Sequence, residues 1–148
     1  METYQNILVA VDFYEQGEEI TNKAIALSQT YNAKLSMIHV VDNLPMLDSG
    51  YGVEVPFNNM DLITELMDSA KKTIADLAEK LQIPKDQVFL EMGSPKTEIV
   101  RVAEENKVDL IVIGSHGRHG LALLLGSTAN GVLHHAQCDV LAVRLKED

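Results

Sequence analysis

The chain has 148 residues, 46% of them hydrophobic and 23% charged, a balance that fits one globular domain over 1–148 with a sizeable core. Its formal net charge of −10, from 12 Lys+Arg against 22 Asp+Glu, argues against nucleic acid and anionic membranes, because binding a polyanion rests on releasing counterions from a basic surface. A small anionic ligand stays compatible, since local backbone dipoles and one or two cations outweigh a distant field.

The opening "METYQNILVAVD" shows no basic leader or small-residue cleavage pattern. Apolar runs stay far below the ~20 residues of a spanning helix. The single cysteine, Cys138, cannot close an internal disulfide. The expectation is a cytoplasmic protein without a membrane segment.

Taken in chain order, "NILVAV" (Asn6–Val11) reads as a first strand, almost continuously apolar, as strands buried on both faces are. Ile20, Ala24, Leu27 and Tyr31 then keep helical spacing. "KLSMIHVV" (Lys34–Val41) is a second strand. The stretch Asp42–Asn59, with two prolines, two glycines and no periodicity, is a long connection, open between a ligand lid, a partner contact and surface slack. Met60, Ile63, Met67, Ala70, Ile74, Leu77 and Leu81 form the clearest helical stripe. A third strand follows at Gln87–Met92, and a third helix opens with Ser94 as cap and Pro95 at its first position. "DLIVIG" (Asp109–Gly114) is a fourth strand. A last helix starts near Ser127, with Ala129, Val132, Leu133 and Ala136 facing inward, and Asp139–Leu145 closes the series.

Five strands alternating with four helices predict a doubly wound α/β sheet, parallel and covered on both faces. If strands one to three build outward one way and four and five the other, right-handed crossovers give the order 3-2-1-4-5. Ligands bind such sheets beyond the carboxyl ends of the strands, where the order reverses. Here that crevice lies between Val11-Asp12 and Ile113-Gly114.

The segment leaving the fourth strand, "GSHGRHGLALLLGST" (114–128), runs through that crevice. Gly114 and Gly117 permit positive φ and close backbone approach to an anion. Gly126, Ser127 and Thr128 open the last helix, whose start suits phosphate. The two hydroxyls can donate to phosphate, cap the helix or touch a bound Mg²⁺, and Arg118 can pair with a terminal phosphate. The spacing is neither a Walker A loop nor G-x-G-x-x-G, and a plain glycine turn with a serine cap reads almost as well.

"NILVAVD", "HVVD", "VDLIVIGSHGRHGL" and "LLGSTANGVLHHAQCDVLAVR" together closely resemble the universal stress protein family over nearly the whole chain. The resemblance implies the adenine nucleotide alpha-hydrolase-like fold, usually dimeric. It also implies a branch that binds ATP with Mg²⁺ through Gly, two residues, Gly, nine residues, then Gly-Ser/Thr. By that resemblance Ala10, Val11 and Asp12 line the adenosine side, with Ile113 beside them and Val40 on the base. Gly114, Gly117, Arg118, Gly126, Ser127 and Thr128 hold ribose and phosphates.

Two departures bear on ATP. Eight residues, not nine, separate Gly117 from Gly126, and Tyr14 stands where many members carry Ser or Thr. One residue spans at most ~3.5 Å, comparable to the spacing of neighbouring phosphates.

Other chemistry is thinner. His116 and His119 lie in the glycine segment, while His134 and His135 are adjacent and point about 100° apart, a poor arrangement for sharing a metal. His39 reads as a hydrogen-bonded core histidine, and Cys138 as a packed small side chain. Ser115 and His116 lack an orienting acid. Glu18, Glu19 and the long connection could approach a γ-phosphate, yet nothing fixes them there, so at most slow ATP hydrolysis is expected. The closing strand Val140–Leu145 would be an edge, paired across a homodimer two-fold or shielded by Arg144 and Lys146. The expected function is a nucleotide-gated stress-response switch; the alternative is a dimeric interaction module that holds no nucleotide.

Overall fold

A computed structural model of the chain describes residues 3–12, 17–41, 60–115 and 126–144. Tyr14, the 42–59 connection, His116, Gly117, Arg118, His119, Leu145 and Lys146 lie outside the described residues.

The elements run β1 (Asn6–Ala10), α1 (Gly17–Tyr31), β2 (Lys34–Val41), α2 (Met60–Leu81), β3 (Val88–Met92), α3 (Pro95–Glu105), β4 (Leu110–Gly114), α4 (Ser127–His135) and β5 (Asp139–Val143). The five strands form one parallel sheet in the order β3-β2-β1-β4-β5. Strand ends differ from the sequence reading by one or two residues. Lys85–Gln87, for instance, winds into a short 3-10 turn, so β3 begins at Val88 rather than Gln87.

Side-chain alternation divides the core in two. Ile7, Val9, Val11 and Met37 pack under α1 and α2 against Ile20, Ala24, Ile74 and Ala78. Leu8, Ala10, Ile38 and Val40 pack on the other face against Ile99, Val102, Ala103, Ala129 and Val132 of α3 and α4. Both faces of β1 and β4 are therefore dry, which explains their unbroken apolar runs. Full burial of a side chain such as Leu8 stabilises by about 1.5–3 kcal/mol.

Three helices end alike. Asn32, Gln82 and Lys107 have φ of 53°, 61° and 56°. The next amides, of Ala33, Ile83 and Val108, reach back to the carbonyls of Ser28, Ala78 and Ala103 at 2.8, 2.8 and 2.9 Å. These are Schellman endings built without glycine, so the helix stops left no glycine mark in the sequence. At the same end of the sheet Asp109 accepts the N–H groups of Gln5 and Asn6 at 2.9 and 3.0 Å, tying β1 to the start of β4.

Two expectations need correction. Leu133 does not face inward: it is 45% exposed, because α4 turns Ala129 and Val132 to the sheet and leaves Leu133 on its outer side. Ser94 does occupy the cap position of α3, but its side chain makes no capping bond; its carbonyl accepts the Glu98 N–H at 2.9 Å instead. α3 and α4 then approach closely at Gly131, where an added Cβ would stand 2.9 Å from Lys96 Cβ.

Candidate functional site

The sheet order reverses between β1 and β4, which pair in register through Ile7↔Leu110, Leu8↔Ile111 and Val9↔Val112. Their carboxyl ends therefore emerge side by side. Ala10, Val11 and Ile113 are buried there, and Asp12, Gly114 and Ser115 are partly exposed. Val40, buried at the end of β2, lies on the same face of the sheet as Ala10 and Ile113, and Val11 on the other. The structure thus brings Ala10, Val11, Asp12, Val40, Ile113 and Gly114 to one end of the sheet.

Gly126, Ser127 and Thr128 join them through a backbone clasp that sequence reasoning missed. Ser115 donates its N–H to the Val143 carbonyl of β5 at 2.8 Å, and Gly126 donates its N–H to the Ser115 carbonyl at 2.6 Å. The start of α4 is thereby pinned beside the end of β4. Nothing in the residue pattern announces such a main-chain contact.

Gly126 is the residue preceding α4, with φ −62° and ψ 155°, and Asn130 donates the first in-helix bond to its carbonyl at 2.8 Å. The amides of Ser127, Thr128 and Ala129 thus have no carbonyl acceptor within the helix. With the positive end of the helix dipole they form an anion-favouring terminus inside a chain of net charge −10. Gly114 does not use the positive φ open to a glycine: it ends β4 in strand conformation, and among the described glycines only Gly93, at φ 140°, is left-handed.

The second missed contact is at β2. His39 Nδ1 lies 2.7 Å from the Val11 carbonyl, so the histidine is hydrogen-bonded as expected but sits beside the crevice rather than deep in the core. Burial lowers its pKa below the usual histidine value, against the raising effects of the Val11 carbonyl and the Asp12 charge.

The other reactive candidates stand apart. Cys138 packs partly buried behind α3 and α4, and burial raises its thiol pKa, which keeps it a weak nucleophile. His134 and His135 are exposed at the far end of α4. Glu18 lies 3.5 Å from Lys80 in an exposed ion pair between α1 and α2. Among the described residues no three His, Cys, Asp or Glu side chains gather at a metal-binding spacing, and no helix is long and apolar enough to cross a membrane.

The universal stress protein family is matched over residues 3–144. This chain belongs to that family. Among curated universal stress proteins, A homolog 2 of Coxiella burnetii is 42% identical over 147 residues, covering 99% of both chains. A homolog 1 of the same organism is 37% identical, over 97% of this chain and 99% of its own. Among solved structures, hypothetical protein MJ0577 superposes with a TM-score of 0.82 at 26% identity, covering 99% of this chain and 100% of that one. A universal stress protein crystallised in complex with cAMP has the same fold, with a TM-score of 0.62 at 24% identity over 97% of this chain and 98% of its own.

These structures share the fold of this chain, a five-stranded parallel sheet in the order 3-2-1-4-5 flanked by helices.

Proposed function

We propose that residues 1–148 act as one cytoplasmic universal stress protein domain that binds an adenine nucleotide, ATP with Mg²⁺, and serves as a stress-response switch. The observation that carries this reading is the clasp between Ser115 and Gly126, which sets the first amides of α4, those without an in-helix acceptor, beside the end of β4. Ala10, Val11, Asp12, Ile113 and Val40 then take the nucleoside. Gly114, Gly117, Arg118, Gly126, Ser127 and Thr128 take ribose and phosphates, and Mg²⁺ is held chiefly through the phosphates. The cAMP complex of a family member supports the fold as a host for adenosine phosphates; its identity to this chain carries no more than that.

The protein assembles as a homodimer through Val140–Leu145. Among the described residues β5 is the edge strand next to β4, and antiparallel pairing across a two-fold would cover it. Metal, when present, supplies charge neutralisation at the phosphates; the chain's own part is to orient the nucleotide and exclude water from the adenine.

The eight-residue spacing between Gly117 and Gly126 favours one second reading, a dimeric interaction module with the same crevice and no nucleotide. Native mass spectrometry of gently purified protein separates the two. The first reading expects retained adenine nucleotide in the wild type and its loss in Gly117→Val with the circular dichroism unchanged. Protein that is empty and stays empty at millimolar ATP, ADP or AMP supports the interaction module.

A further inference from the structure

The structure assigns His39 a role in the adenine-nucleotide site: we propose that it is a positioning residue, which through the Val11 carbonyl fixes the Val11–Asp12 peptide at the mouth of the crevice. This rests on the nucleotide reading above and adds to it a residue to which that reading gives no part.

β1 and β2 run as a parallel ladder from Asn6↔Lys34 to Ala10↔Ile38, and Val11 adds a last rung by donating its N–H to the Ile38 carbonyl at 2.9 Å. In a strand the N–H and C=O of one residue point to the same neighbour, so the Val11 carbonyl also turns toward β2. There the His39 ring meets it at 2.7 Å. A carbonyl only accepts, so the neutral ring must carry its proton on Nδ1.

The consequence lies one bond further on. The Val11–Asp12 peptide is planar and trans. With the carbonyl held toward β2, the Asp12 N–H points the opposite way, to the β4 side where the crevice opens. The Asp12 side chain starts from the same fixed plane. His39 thus sets the direction of two polar groups at the ligand's entry without touching the ligand. Sequence reading gave His39 a core hydrogen bond and no site role, because the partner is a backbone atom 28 positions away.

The test uses the full-length protein, Mg-ATP and three variants. Asparagine places an amide nitrogen near the Nδ1 position; glutamine puts it further out; leucine removes it. Calorimetry is run well below the melting temperature of every variant, so that a purely structural loss leaves the dissociation constant unmoved. His39→Leu and His39→Gln are expected to weaken binding about tenfold, the size of one buried hydrogen bond lost, and His39→Asn to restore most of it. If His39→Leu does not fold, the contrast between Asn and Gln carries the same test.

Equal affinity in wild type, Leu and Gln variants overturns the proposal, as does a folded Asn variant no better than Gln. A long-range ¹H–¹⁵N spectrum adds a readout that needs no nucleotide: neutral His39 must show the Nδ1-protonated tautomer, and an Nε2-protonated ring contradicts the role. A wild type that binds no adenylate while showing the expected tautomer defeats the nucleotide reading and leaves the His39 geometry standing.

Discussion

His39 shows how one side chain serves both packing and site geometry. Its ring is held neutral by burial, while the nearby Asp12 charge pulls the other way. A histidine whose folded pKa lies below 6.5 is protonated first in the unfolded chain, so its contribution to stability is complete above that value and is lost as pH falls below it. Urea midpoints at pH 7.5 and 5.5 should therefore drop more in wild type than in His39→Asn; equal drops would show that the ring does not titrate differently on folding. At this scale the sequence was only partly legible. Ala10, Val11, Asp12, Ile113 and Gly114 could be placed because strand ends follow from apolar runs. The Ser115–Gly126 clasp and the His39–Val11 bond could not, because each depends on a main-chain oxygen that carries no residue label.

Elements were easier to read where their physics is periodic. β1 and β4 declared themselves through runs buried on both faces, and α2 through its stripe ending at Leu77 and Leu81. Their ends were harder, since the left-handed positions after α1, α2 and α3 are Asn32, Gln82 and Lys107 instead of glycine. A non-glycine side chain there costs about 1 kcal/mol. Gln82→Gly should accordingly raise the stability by about 0.5–1 kcal/mol, seen as a higher urea midpoint with an unchanged slope; a lower midpoint would show that Gln82 makes up for its backbone strain elsewhere. Leu133 misled because Val132 and Leu133 are adjacent and equally apolar, while a helix lying on a sheet turns only one of two such neighbours inward.

The edge of the sheet has its own test. Val143 turns its carbonyl to β4, so Ala142, one residue earlier, points its N–H outward. Ala142→Pro removes that outward donor without breaking the β4–β5 ladder. The proposed homodimer predicts that light scattering finds a dimer for the wild type and a folded monomer for this variant; a variant that is as dimeric as the wild type would contradict pairing through β5.

At the scale of the molecule, an acidic chain is expected to hold an acidic ligand, and the two are reconciled by locality. The charge of −10 is a sum over the whole chain, whereas helix-start amides without an in-helix acceptor act at hydrogen-bond distance. The strand order was readable before any coordinates because handedness prunes the topologies, and that order alone located the crevice. The phosphate count of the proposed nucleotide was not readable, since it depends on a glycine segment one residue shorter than the spacing that the family resemblance implies.

Titration calorimetry of the full-length protein with Mg-ATP, ADP and AMP in turn tests the central claim most directly. Saturable binding at one site per chain, abolished by Gly117→Val in a protein that still melts cooperatively, is the predicted result. Folded wild-type protein that gives no binding heat with any of the three across a range of temperatures would contradict it.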